Sequence, residues 1–185
     1  MPPPPPGFQL YFIALILPSP FLGDAQSLKE RFRDEYDCKA SLNSPPHITL
    51  HMPFQWKEKK EEKLLDALGT FSSGKNPFII SFNNFSCFAP KVIYIDITSS
   101  ESLTSLQKEL YRFCKTELNL FNAQYRDLPF HPHVTLAFRD LKKDQFIRAW
   151  AEFQEKKFSG DFPIDKITLL KHDGKLWQPF HDFHF

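Results

Sequence analysis

Pro46-His47-Ile48-Thr49-Leu50 and Pro132-His133-Val134-Thr135-Leu136 are one pattern written twice. On a strand, residues two apart leave the same face, so each segment presents a His and a Thr together and turns its aliphatic pair toward a core. Imidazole gains or loses a proton near neutral pH, and a neighbouring hydroxyl can donate to an oxyanion. A single His-x-Thr-Leu is readily a half-exposed strand histidine with no role. Two copies, each with the same preceding proline, are better explained by one shared cleft in which His47 and His133 do acid–base work.

Reading outward, residues 8–17 form an apolar strand, and residues 21–36 a helix with Leu28, Phe32 and Tyr36 at helical spacing. The first His/Thr strand spans 45–54. A charged amphipathic helix then covers 57–71, and an alternating strand covers 77–88. The same order recurs: strand 91–98, helix 100–118, the second His/Thr strand 132–138, helix 141–153, strand 162–170, and a closing strand 176–185 after an Asp173-Gly174 turn. The expected fold is α+β, a single bilobal domain over 8–185. Its two pseudo-symmetric lobes (about 8–88 and 90–185) each hold a mainly antiparallel sheet with outer helices around a central cleft. Residues 1–7, five of them consecutive prolines, read as a disordered or extended tail with no assigned role.

Composition narrows the function. The 42% hydrophobic and 16% aromatic content, with 21 Phe, excludes a disordered chain. Twenty-three basic against 22 acidic residues leave a net charge of +1, too little to attract long nucleic acid or an anionic membrane by field alone. Cys38, Cys87 and Cys114 have no C-x-x-C spacing and read as free, buried thiols of a reducing compartment. The apolar run 10–17 lacks a preceding basic residue and meets Pro18 at once, so it reads as a strand of a cytoplasmic protein, not a leader. With six glycines and no Gly-rich loop, a phosphate must be gripped by side chains. His131 with His133, or His181 with Asp182 and His184, offers a metal alternative, but no Cys or carboxylate stands at a convincing ligand spacing beside the first pair, and strand alternation alone exposes some of the second group; the expected site holds no metal and no cofactor. His51 and His172 read as surface or cleft-edge residues.

In its paired motifs the sequence resembles the 2H phosphoesterase superfamily, closest to the 2′-5′ RNA ligase or RNA 2′,3′-cyclic phosphodiesterase group. The opening Tyr11-Phe12-Ile13-Ala14-Leu15 strand, the Pro90–Ile95 strand and the closing 174–185 segment resemble its other elements. The resemblance implies a metal-independent hydrolase that opens 2′,3′-cyclic phosphates of RNA ends or small nucleotides to a 2′-phosphate, with reversible 2′-5′ RNA ligation as a second activity. His47 and His133 are then catalytic, and Thr49 and Thr135 hold the phosphate. His47 is the implied proton donor and His133 the acceptor, although the symmetry of the motifs leaves the reverse open. The implied partner is a nucleotide or RNA terminus bearing a cyclic phosphate, with no membrane and no DNA, met by a monomer.

The chain departs from the group after each motif. His51-Met52-Pro53-Phe54 stands where a basic residue and Phe-Leu-Gly are more usual, and Ala137-Phe138-Arg139 puts the basic residue later than the common Ala-Arg. On a continued strand Arg139 shares the face of His133 and Thr135 and becomes a phosphate contact. Phe54 and Phe130 read either as base-stacking or as core residues. A non-catalytic module that binds a nucleotide or RNA end in the same cleft is the alternative function.

Overall fold

The computed structural model describes residues 3–121 and 129–185. Strands are β1 (Phe8–Ile16), β2 (His47–Lys57), β3 (Phe78–Phe88), β4 (Val92–Ile97), β5 (His133–Ala137), β6 (Asp161–Ile164), β7 (Lys166–His172) and β8 (Trp177–His184). Helices are α1 (Phe21–Tyr36), α2 (Glu61–Ser72), α3 (Glu101–Glu117) and α4 (Lys143–Phe153). α3 begins where the Ser100 hydroxyl accepts the Leu103 N–H at 3.2 Å, satisfying a donor that the first turn leaves open. The helix expected from residue 57 starts at Glu61 instead. Gln55, Trp56 and Lys57 extend β2 against Phe8–Leu10, and a 3₁₀ turn at Glu58–Lys60 intervenes.

The strands lie in the order β6-β3-β4-β5-β2-β1-β7-β8, and every neighbouring pair is antiparallel. The His/Thr strands β5 and β2 occupy the middle. Outward from them the order is symmetric in kind, but each half of the sheet draws on both halves of the sequence: β3 joins β4, and β7 joins β1. The segment 162–170, expected as one strand, is two. Asp165 alone separates β6, which closes the β3 edge, from β7, which pairs with β1 near the other edge, so the sheet curls strongly.

One face of the sheet forms the main core. Tyr11, Ile13, Leu15, Ile48, Leu50, Val134 and Leu136 pack there with Phe32, Leu64, Leu103 and Phe153 of the four helices. The opposite face of β1 carries Phe12 and Ala14, which join Leu170 in a small separate cluster. This alternation keeps the second face open for a site. Met1 and Pro2 of the expected tail lie outside the described residues. From Pro5 the chain makes a turn, in which Phe8 N–H donates to Pro5 O at 3.0 Å and Gly7 takes a left-handed φ of 76°.

Candidate active site

His47 opens β2 and His133 opens β5, and the two strands are bridged at Ile48 and Val134. Counting antiparallel from that pair sets His47 across from Thr135 and Thr49 across from His133. All four polar side chains therefore share the open face. Each imidazole is oriented the same way: Nδ1 lies 2.7 Å from the carbonyl two residues upstream, Pro45 O for His47 and His131 O for His133. A carbonyl only accepts, so each Nδ1 carries the proton and each Nε2 is left for chemistry. Among the described residues neither threonine hydroxyl is committed to a hydrogen bond within the protein. Each site residue is half-buried, within reach of a ligand yet partly shielded from water.

The surroundings break this symmetry. Burial lowers the His47 pKa to about 3, helped by the nearby positive charge of Lys29 and by His133, and opposed by the Pro45 carbonyl. Burial also lowers His133, but there the His131 carbonyl and the Asp96 carboxylate pull the other way. Asp96 lies opposite His133 on β4 and also meets His131 Nε2 at 3.1 Å and Asn83 at 3.0 Å, while the Tyr94 hydroxyl contacts His131 at 3.1 Å. Behind His47, Lys29 is 1% exposed, and its Nζ donates to Ser41 O and Ser44 O at 3.0 Å each; burial pulls its pKa down to about 7. Asp140 grips the other end of the same loop, accepting the N–H groups of Lys39 and Ala40 at 2.9 and 3.0 Å.

A cleft of about 440 Å³ opens over the β1, β2 and β7–β8 side. His47, Thr49 and Arg139 line it; His133 and Thr135 stand beyond the Ile48–Val134 pair and do not. Arg139 arrives by a different route from the one expected. β5 ends at Ala137, and Arg139 takes a left-handed φ of 59° in the following bend, its guanidinium 4.8 Å from the Phe138 ring. Pro3 and Pro4, expected to have no role, also line the cleft. His172 is a cleft-edge residue as expected.

His51 is not at the surface. It is 2% exposed because β2 slips register against β1 between Thr49 and Phe54, a bulge that turns both Leu50 and His51 to the core. Its ring packs on Phe54 and Tyr111, and its Nε2 has no hydrogen-bond partner. Phe54 and Phe130 pack against the core, and no part of the cleft is lined by them.

Among the described residues no three His, Cys, Asp or Glu side chains gather as metal ligands. His184 Nδ1 is 3.9 Å from Asp165, and His181 packs on Phe183. The cysteines are free. Cys38 and Cys114 are buried and their thiols pushed up to about 12, whereas Cys87 is half-exposed. Among the described residues no helix is long and apolar enough to cross a membrane.

Sequence reasoning missed Lys29, Asp96 and Tyr94. The alternation of residues 92–97 does put Tyr94 and Asp96 on alternate positions of one face. Lys29, on a helix rich in charge, carries no mark that separates it from a solvated lysine.

A model of the 2′-5′ RNA ligase superfamily matches residues 18–176. A Bacillus mycoides protein named as a phosphoesterase is 29% identical over 92% of this chain and 94% of its own. A similarly named Bacillus cereus protein (strain AH820) is 31% identical over 84% and 85%. Among solved structures, TT0787 of Thermus thermophilus aligns with a TM-score of 0.66 at 18% identity, covering 95% of this chain and 97% of that one. E. coli LigT complexed with 3′-AMP gives 0.66 at 16% identity, covering 96% and 98%. These two structures share the curled antiparallel α+β fold.

Proposed function

The chain belongs to the 2′-5′ RNA ligase superfamily of 2H phosphoesterases, and on that premise we propose that it hydrolyses 2′,3′-cyclic phosphates of RNA ends or small nucleotides without a metal. The observation that carries this reading is the matched anchoring of His47 and His133. Each Nδ1–H is held at 2.7 Å by a backbone carbonyl, and each Nε2 is left toward the shared face. LigT is described in complexes with 3′-AMP, ATP and NADP+, which supports a nucleotide in this cleft.

In the reaction, water attacks phosphorus as the opposite P–O bond to ribose breaks. His133 takes the proton of water, and His47 gives one to the departing ribose oxygen. The flanking charges favour that direction. Asp96 stabilises the imidazolium that forms at His133, while Lys29 makes protonated His47 the readier donor. Thr49, Thr135 and Arg139 hold the phosphoryl oxygens, where negative charge accumulates in the transition state. The product is a phosphomonoester, a 2′-phosphate when the 3′ bond breaks.

Incubation with a nucleoside 2′,3′-cyclic phosphate in excess chelator should yield the monophosphate as the sole new species. Absence of turnover on mononucleotide, oligonucleotide and ADP-ribose cyclic phosphates alike would sink the proposal; tight binding without turnover would instead support a binding module.

A further inference from the structure

Resting on that reading, we propose that Pro3 and Pro4 are specificity-determining residues: they wall off the end of the cleft away from His47, so that the enzyme takes nucleoside-sized cyclic phosphates and rejects the ends of longer RNA chains. Both prolines line the 440 Å³ cleft, and both lie outside the residues 18–176 that the superfamily model matches. The cleft follows the open face of β1. Phe12 stands on that face with its ring centroid 4.9 Å from that of His47, and Leu10, two residues or about 7 Å further along the strand, lines the same cleft. Leu10 is 6% exposed yet belongs to neither apolar cluster of the sheet. Its cover comes from the cleft wall that it shares with the half-buried Pro4.

The residue types dictate where this segment goes. Proline carries no N–H, so residues 3–6 cannot continue the ladder that β1 makes with β2. The ladder ends where Glu58 N–H donates to Gly7 O at 3.0 Å. Gly7, with its left-handed φ of 76°, then turns the chain, and Phe8 N–H closes the turn on Pro5 O at 3.0 Å. The run is thereby carried back to the cleft instead of outward from the sheet. Each ring fixes its own φ, so the segment has little conformational freedom to lose when it is held there, and it serves as a stiff wall. That wall is also the wrong chemistry for a polynucleotide. It offers ring methylenes and carbonyls but no donor, so a backbone phosphate pressed against it loses water and gains nothing in return. The donors of the cleft, His47, Thr49 and Arg139, serve one phosphate, and a net charge of +1 adds no long-range pull on a polyanion.

The test compares a nucleoside 2′,3′-cyclic phosphate with an oligonucleotide that ends in the same cyclic phosphate. Wild type should prefer the mononucleotide. Deletion of residues 2–6 should lower the ratio of kcat/KM, mononucleotide over oligonucleotide, about tenfold, the low end of what a small change in pocket size does to discrimination. The double variant Pro3→Gly/Pro4→Gly, of full length but without the stiffness, should lower it part of the way. An unchanged ratio in the deletion variant overturns the wall, as does a wild type that prefers the oligonucleotide. Equilibrium binding of the nucleoside 2′-monophosphate and of an oligonucleotide ending in a 2′-phosphate keeps the two proposals apart. If wild type turns over neither ester, the hydrolase reading fails, yet the wall stands if the deletion tightens the oligonucleotide about tenfold relative to the mononucleotide. It falls if the relative affinity is the same in both proteins.

Discussion

Ile48 and Val134 lie directly opposite each other in the sheet, both with no exposed surface, and each sits between the His and the Thr of its own motif. Their side chains fill the core while the four polar neighbours occupy the other face. The pair is therefore the pivot that sets one half-site against the other. Ile48→Ala should cost about 2–5 kcal/mol of unfolding free energy, the usual range for a truncated core aliphatic. Chemical denaturation measures this, and a cost under about 0.5 kcal/mol would mean that the pair is not packed as described.

Both motif imidazoles have pKa values below the ordinary 6.5, His47 near 3, so the free protein holds them largely neutral at pH 7. The proton donor must be charged at the moment of reaction. The maximum of kcat/KM should consequently fall below pH 6.5, with activity declining as pH rises. A bound phosphate anion favours the imidazolium, so the maximum of kcat should lie at higher pH than that of kcat/KM. Initial rates from pH 4 to 9 decide it; coincident maxima above pH 7 would contradict the assignment.

The positive charge of Lys29 lowers the His47 pKa, and its two carbonyl contacts hold Ser41 and Ser44, the latter beside Pro45, which orients the ring. Lys29→Met should thus raise the His47 pKa and move the pH optimum upward, while lowering kcat because the loop loses its anchor. A reduced rate with an unshifted optimum would leave Lys29 with a purely structural part.

Acid should destabilise the fold. His47, His51 and His133 all have folded-state pKa values below 6.5, so below that pH the unfolded chain takes up protons that the folded chain refuses. Their contribution is complete above about pH 6.5 and is lost as pH falls toward the folded values. Calorimetry should show Tm dropping between pH 6.5 and 4. His51→Phe, which replaces a ring whose Nε2 is buried without a partner, should keep Tm at pH 7 and flatten the acid decline. An equally steep decline would exclude His51 as a contributor.

The duplicated motif made the centre of the fold legible from sequence, because period-two alternation fixes which side chains share a face wherever a strand runs regularly. It misled where strands break that rule. The bulge in β2 buried His51, the early end of β5 left Arg139 to a bend, and the break at Asp165 divided one apolar run between opposite parts of the sheet. The contact between Phe12 and Trp177 escaped for another reason. Phe12 and Trp177 are 165 positions apart in the numbering, and only the pairing of β1 with β7 and of β7 with β8 brings them within 4.7 Å.

The most direct test of the central claim, that His47 and His133 act as one acid–base pair, is single-turnover hydrolysis of a nucleoside 2′,3′-cyclic phosphate by wild type, His47→Ala, His133→Ala and the double variant. Each single change should slow the reaction by roughly 10²–10⁴ while nucleotide affinity persists. The double variant should be slowed by far less than the product of the two losses. Near wild-type rates in either single variant would contradict the account.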